Sequence, residues 1–277
     1  MSRIEGTIVF TDLDGTLLDH GDYSFTAAQP VLSELAKLKV PVVPVTSKTR
    51  VELLSLRAEL KLDTPFVVEN GAAIYVPKGY FSFNDDALLD KGDFWCKAFA
   101  PSRREWCAVI DSLPEAIRAK ITTFTELGDQ GIISLTDLTA EQASLANDRE
   151  FSEPMYWEGD DALLDDFKVA AKALGFDLLQ GGRFLHLTSG YDKGQALAWL
   201  KQQFMRAKPN EVQFAIALGD SGNDIDMLEA ADQAIVIKNP HSKDLQLDER
   251  LPVLRSVKEG PAGWAEALNS YLNLGLG

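Results

Sequence analysis

Cysteine and histidine are nearly missing from this chain, with two and three in 277 residues. Cys96 and Cys107 stand well apart, each beside a tryptophan, which fits neither a close-set metal site nor a redox pair. Both are expected to be buried, reduced and structural. Positive charge is also short: 27 Lys and Arg against 42 Asp and Glu leave a formal net charge of −15. Such a surplus of carboxylates repels phosphate backbones and anionic lipid, so neither nucleic acid nor a membrane is expected as a partner. An anionic ligand has to find a local cluster of cations or a metal. No apolar run reaches spanning length, and the opening MSRIEGTIVF is broken by charge and glycine before a secretory core forms; a cytoplasmic protein is expected. Internal repeats and long linkers are not evident. With 45% hydrophobic and 25% charged residues, the composition suits a chain that buries a sizeable core, and the length suits one large domain or two smaller ones.

Short apolar runs recur and end in polar clusters: IVF at 8–10 before TDLDGT, VVPV at 42–45 before TSKT, FVV at 66–68 before ENGA, and FAIAL at 214–218 before GDSGND. They read as buried strands of a parallel sheet. Helical spacing fills the intervals, as in Val31, Leu32, Leu35 and Leu38 or in Val51, Leu53, Leu54 and Leu60. The alternation predicts an α/β fold with helices on both faces of the sheet. In such sheets ligands gather beyond the carboxyl ends of the strands, where these polar clusters fall.

From about Asp85 to His186 the candidate strands are shorter. Strands are expected at 132–135, 155–157, 176–179 and 183–187, and helices at 103–113 and 162–174, which together suggest a second, inserted α/β module. After Leu187 the first pattern resumes, with a helix at 193–204, a strand ending at Leu218, a helix at 223–231 and a strand at 235–237. The core is therefore discontinuous in sequence.

Asp12 and Asp14 flank Leu13 directly after an apolar strand. Residues two apart on a continuing strand point the same way, so both carboxylates suit one ligand. Two like charges that close are costly unless a cation separates them or one keeps its proton. The same residues also suit an acidic turn, with Gly15 for a positive φ and an Asp helix cap. GDSGND at 219–224 follows a second buried strand and opens a helix, which puts Asp220 at the strand end and Asn223 and Asp224 in the first turn. Hard oxygen donors from two strand ends, completed by phosphate and water, suit Mg²⁺. Lys193 opens the helix after LTSGYD and offers an ammonium to a phosphoryl oxygen or a carboxylate, although a solvated lysine reads the same way. Thr46 and Ser47 close the second strand with hydroxyl donors, followed by Lys48 and Arg50; a helix N-cap explains them equally well.

Other features carry plainer readings. Asn70-Gly71 suits a hairpin turn, Gly181-Gly182 a turn, and EGDDALLDD at 158–166 a solvated helix start. Trp95, Trp106, Trp157, Trp199 and Trp264 are expected to pack cores, with Trp157 also placed to line the face of the inserted module.

Taken together, DLDGT at 12–16, a strand-end Thr46, Lys193 before a helix and GDSGND at 219–224 resemble, in order, the four motifs of the haloacid dehalogenase superfamily. The resemblance spans nearly the whole chain. It implies a doubly wound, Rossmann-like parallel-sheet core at 1–84 and 188–277, with an inserted α/β cap at 85–187 similar to that of the sugar-phosphatase branch. TSKT at 46–49, VENGA at 68–72 and HLTSGYDKG at 186–194 look, more narrowly, like mannosyl-3-phosphoglycerate phosphatases.

By that resemblance Asp12 is the nucleophile that forms an aspartyl-phosphate, and Asp14 is the acid and then the base. Mg²⁺ is held by the Asp12 side chain, the Asp14 backbone carbonyl and the Asp220 side chain. Thr46 and Lys193 hold phosphoryl oxygens, while Asn223 and Asp224 orient Lys193 or the metal's water. Ser47, Lys48, Arg183 and His186 are the candidates for substrate binding, since a glycerate carboxylate needs a cation and arginine offers a forked donor. His186 equally suits a satisfied core histidine.

The implied activity is Mg²⁺-dependent hydrolysis of a glycosyl-3-phosphoglycerate, mannosyl or glucosyl, with the phosphorylated sugar-glycerate as the only expected partner. A broad sugar-phosphate or flavin-nucleotide phosphatase is the alternative. A phosphosugar mutase uses the same acid and base, and a non-catalytic sugar-phosphate sensor would not require Asp12 beside Asp14. Oligomeric state is not read from the sequence.

Overall fold

A computed structural model describes residues 4–82, 87–181, 183–211, 213–242 and 244–276. The expected 84/85 domain boundary and Gly182 of the expected turn lie outside the described residues. The chain forms two compact units, one of Met1–Thr46, Leu62–Lys97 and Asp192–Gly277, the other of Ser47–Lys61 and Ala98–Tyr191.

In chain order the elements begin with β1 (Thr7–Thr11), α1 (Gln29–Lys37), β2 (Val42–Pro44), α2 (Arg50–Leu60), β3 (Phe66–Val68), β4 (Ala73–Pro77), β5 (Leu89–Lys91) and β6 (Phe94–Ala98). The middle of the chain supplies α3 (Arg103–Asp111), α4 (Glu115–Arg118), β7 (Ile121–Thr123), α5 (Phe124–Leu135), α6 (Ala140–Asn147), β8 (Met155–Trp157), α7 (Asp161–Ala173), β9 (Asp177–Gly181) and β10 (Phe184–Thr188). The last third adds α8 (Lys193–Ala207), β11 (Phe214–Gly219), α9 (Ile225–Ala230), β12 (Gln233–Lys238), β13 (Val253–Glu259) and α10 (Gly260–Leu272).

The first unit is built on a five-stranded sheet ordered β13-β12-β11-β1-β2, whose pairs are all parallel. Every residue of β1 is buried, as a continuous apolar strand between two covered faces must be. Because β1 lies between β11 and β2, segments distant in sequence end side by side at one edge of the sheet. Phe66–Val68 departs from the expected parallel pairing. It joins the sheet through a single parallel bridge, Val45 to Val67, and pairs antiparallel with β4 at the head of a second sheet ordered β3-β4-β6-β5. The connection is not a two-residue hairpin turn either. Glu69, Asn70 and Gly71 form a 3₁₀ turn in which all three have positive φ.

The second unit has a four-stranded sheet ordered β7-β8-β10-β9, antiparallel throughout. Trp106, Ile110, Phe167, Met155 and Leu185 form its main core. The expected strand at 132–135 is instead the end of α5. Thr123 caps that helix with Glu126 in a reciprocal capping box, which satisfies two N-terminal amides and starts the helix firmly. Ile132 packs with Phe124 and Ala143 in a small second core. Cys96 is buried as expected, whereas Cys107 is only partly so. Among the described residues no helix is long and apolar enough to cross a membrane.

Candidate active site

The site grows from the carboxyl ends of β1, β2 and β11. Asp12 follows β1 and is fixed by its amide, which donates to the Leu218 carbonyl at 2.9 Å. The Val45 amide donates to the Thr11 carbonyl at 2.8 Å, so buried Thr46 stands at the neighbouring strand end. Asp220 follows β11, and Gly222–Asp224 forms one turn of 3₁₀ helix ahead of α9. Asp192 caps α8 by accepting the Gln195 amide, which places Lys193 at the first helical position.

Lys193 is the hub. Its wholly buried ammonium donates to Asp12 Oδ1 at 2.6 Å and to Asp224 Oδ1 at 2.7 Å. The other oxygen of Asp224 accepts the backbone amides of Asp220 and Ser221 at 3.0 and 3.1 Å. Thr16 Oγ1 and Asn239 Nδ2 donate to the two oxygens of Asp220, at 2.9 and 2.5 Å. Gly15 has φ +78, and a Cβ there would lie 2.7 Å from Asp220 Oδ2. Glycine is thus required both for its backbone and for the space it leaves to the carboxylate.

The charges do not balance within the protein. Carboxylate oxygens of Asp12, Asp220 and Asp224 lie within 4.8 Å of one another, and Lys193 sets one positive charge against three negative ones. Burial, followed by the neighbouring carboxylates, raises the pKa of Asp12 well above its usual value, with Lys193 opposing. Burial and Asp224 likewise raise that of Asp220. Burial by itself would lower the pKa of Lys193, but Asp12 and Asp224 outweigh it and raise that pKa, so the ammonium stays charged. Hard oxygen donors with two negative charges in excess suit a divalent cation. Asp12 and Asp220 can take part in holding one, and the carbonyl of half-buried Asp14 is the third donor expected from the sequence.

Asp12, Lys193, Asp220 and Asp224 are thus brought together, with Thr46 on the adjacent strand. Asn223 is more exposed; its amide donates to Asn70 Oδ1 at 3.0 Å and its carbonyl oxygen accepts from Ser221 at 2.7 Å. Sequence reasoning missed Thr16, Asn70 and Asn239. Thr16 lies inside DLDGT and was legible there, whereas Asn239 follows β12 with no motif around it.

Ser47, Lys48, Arg183 and His186 belong to the second unit. Arg183 is exposed; it donates to the Leu135 carbonyl at 2.6 Å and lies 3.8 Å from Asp137. His186 lies on β10 opposite Leu179. Burial and the positive charge of Arg149 push its pKa down to about 3, so the imidazole is neutral at physiological pH. Arg149 also donates to Ser152 Oγ at 2.9 Å. Trp106 and Trp264 are core residues, as expected.

This fold and this strand-end cluster define a class, the phosphomonoester hydrolases of haloacid dehalogenase type. Residues 9–97 match the family of haloacid dehalogenase-like hydrolases, and residues 171–272 match sucrose-6F-phosphate phosphohydrolase. The chain is 39% identical over 269 residues to a glucosyl-3-phosphoglycerate/mannosyl-3-phosphoglycerate phosphatase of Persephonella marina, covering 96% of this chain and 97% of that one. It is 36% identical to a protein of the same name from Methanococcoides burtonii, over 94% of this chain and 95% of the other. A phosphatase of the haloalkanoate superfamily from Bacteroides thetaiotaomicron shares the fold, with a TM-score of 0.63 at 16% identity over 98% of this chain and 97% of that one. The chain belongs to the glucosyl-3-phosphoglycerate/mannosyl-3-phosphoglycerate phosphatase family of haloacid dehalogenase-like hydrolases.

Proposed function

We propose that this chain is a Mg²⁺-dependent phosphatase of the cytoplasm that hydrolyses a glycosyl-3-phosphoglycerate, mannosyl or glucosyl, to the glycosylglycerate and inorganic phosphate. The reaction type rests on one observation, the Lys193 ammonium between Asp12 and Asp224 beside a third buried carboxylate. The substrate class rests on the names of the two relatives.

Asp12 attacks the phosphorus in line, forming an aspartyl-phosphate and breaking the bond to the glycerate oxygen. Asp14 gives that oxygen a proton, then takes one from the water that attacks the same phosphorus. The second displacement restores the Asp12 carboxylate and releases phosphate. Thr46 and Lys193 hold the phosphoryl oxygens, and Asn223 and Asp224 keep Lys193 in place. The Asp12 and Asp220 side chains and the Asp14 carbonyl would hold Mg²⁺, which when bound neutralises phosphoryl charge.

The inserted module, expected from the sequence at 85–187, is proposed as the cap that selects the glycoside; the compact second unit that carries it spans Ser47–Lys61 and Ala98–Tyr191. Ser47, Lys48, Arg183 and His186 remain the proposed substrate contacts. His186 would then act as a neutral hydrogen-bonding group.

The test is phosphate release with Mg²⁺ from mannosyl-3-phosphoglycerate, glucosyl-3-phosphoglycerate and common hexose phosphates at equal concentration. Strong preference for a glycosyl-phosphoglycerate is expected. Equal turnover of all three classes would replace this reading with a broad sugar-phosphate phosphatase.

A further inference from the structure

Three consecutive residues of the first unit, Glu69, Asn70 and Gly71, have φ of +51, +59 and +94. Side chains disfavour this region, and such conformations persist where the surroundings over-determine them, often at functional sites. Three contacts of this turn lead to segments of the active site. The Asn70 amide donates to the Thr46 carbonyl at 2.9 Å, at the end of the second strand. Asn70 Oδ1 accepts from Asn223 at 3.0 Å. Gly71 lies so close to the cap of α8 that a Cβ there would sit 2.1 Å from the Asp192 carbonyl oxygen and 2.8 Å from the Lys193 amide nitrogen. One turn therefore touches the segments that carry Thr46, Lys193 and Asp224.

We propose that Asn70 is a positioning residue for phosphoryl transfer, acting through Asn223 to fix the 3₁₀ turn whose Asp224 holds Lys193 against Asp12. The inference rests on the reading of Asp12 as nucleophile. Asn223 lies one residue before Asp224, and its carbonyl oxygen accepts from Ser221 Oγ, so the side chain of Asn70 braces the turn from outside while the backbone amides of Asp220 and Ser221 brace it from within. Asparagine suits the position because it tolerates the left-handed region and offers an acceptor there. Gly71 supplies the close approach that keeps the brace against α8.

The test is a double-mutant cycle on the full chain with an aryl phosphate and Mg²⁺, using Asn70→Gly, Asn223→Ala and the pair. Glycine keeps the left-handed backbone and deletes only the amide. Asn70→Gly is expected to lower kcat about 10- to 100-fold, with KM and melting temperature unchanged. Asn223→Ala, a change at an exposed side chain, is expected to lower kcat equally, and the pair no further. Native kcat in Asn70→Gly, or losses that multiply in the pair, would overturn the proposal. So would a fall in kcat matched by a fall in melting temperature, since that is a stability effect. Asp12→Asn separates the two readings: if it abolishes turnover while Asn70→Gly is fully active, the nucleophile stands and the brace falls. Undiminished turnover in Asp12→Asn removes both.

Discussion

Thr16 and Asp220 are 204 positions apart in sequence and joined by a 2.9 Å hydrogen bond. Thr16 belongs to the turn that carries Asp12 and Asp14, so the bond ties the first acidic segment to the last. Asn239 donates to the other oxygen of Asp220, and both orientations of that carboxylate are therefore spoken for. Removing such an outer partner commonly costs about 10- to 100-fold in metal affinity or activity. Asn239→Ala is expected to shift the Mg²⁺ concentration for half-maximal activity upward within that range, with kcat recovering at saturating Mg²⁺. A Mg²⁺ titration that superimposes on that of the native chain would contradict this.

Asp12→Asn keeps the size of the side chain and loses the proposed nucleophile. Losing a group that forms the covalent intermediate lowers turnover by about 10³-fold or more. Steady-state phosphate release measures it, and a variant within about tenfold of native turnover would remove Asp12 from the role assigned to it.

The crowded carboxylates predict that a divalent cation stabilises the fold. Ligand that binds only the native state at about 100 times its Kd adds about 2.7 kcal/mol. Mg²⁺ is expected to raise the melting temperature of the native chain and EDTA to reverse the rise. In Asp220→Asn the rise should be much smaller, because a ligand and one negative charge are lost together. Calorimetry with and without Mg²⁺ decides the matter; an equal rise in both proteins would place the ion elsewhere.

His186 gives a pH dependence with a definite sign. Its native pKa of about 3 lies below the ordinary 6.5, so between those values the unfolded chain binds a proton that the native one does not. The stability associated with a neutral His186 is complete above about pH 6.5 and declines as pH falls toward 3, by up to about 1.4 kcal/mol per unit. Relative to His186→Gln, the native chain should therefore lose stability faster from pH 7 to pH 5. Denaturant midpoints at those two pH values report it, and a constant gap between the proteins would mean the imidazole is not held neutral.

Within the second unit, Glu153 and Arg183 should behave oppositely. The Glu153 carboxylate is wholly buried, paired with Arg103, and accepts the Thr125 amide at 2.7 Å. Glu153→Ala leaves a partly buried guanidinium without its counter-charge, held among the described residues only by Asn147, and the Thr125 amide without its acceptor, and is expected to cost about 3 kcal/mol. Arg183 is exposed, so Arg183→Ala should change stability by about 0.5 kcal/mol or less. Chemical denaturation of both variants, followed by KM for a glycosyl-phosphoglycerate in Arg183→Ala, separates a structural role from a recognition role.

The acidic segments that meet at the site were legible in sequence because each is short, local and placed after a continuous apolar strand: DLDGT after 8–10, GDSGND after 214–218. Elsewhere the same kind of pattern misled. IISL at 132–135 reads as a strand, but four apolar-rich residues do not distinguish strand from helix, and in the structure they end α5 beyond a kink at Gly128, with Ile132 packed against Phe124 and Ala143. FVV at 66–68 reads as a parallel strand because pairing partners are not encoded locally; its neighbour β4 makes it mainly antiparallel. Asn239 is a lone asparagine whose importance appears only when folding brings it to Asp220. The positive φ of Glu69 had no compositional signal; the turn it opens is held by residues distant in sequence, through Asn70 to Thr46 and Asn223 and through Gly71 to Asp192.

Trp264 in α10 donates its indole N–H to Thr11 Oγ1 at 3.0 Å across 253 positions, and Thr11 in turn donates to the carbonyl of Asp12 at 2.7 Å. Thr11, directly before Asp12, is therefore secured by a helix made long after it. During synthesis at about 5 to 20 residues per second, a growing chain acquires Asp12 early, Lys193 and Asp224 much later, and Trp264 later still. Chains stalled before Lys193 carry the Asp12 carboxylate without the ammonium that clamps it, so the cluster waits on segments made long after its first member.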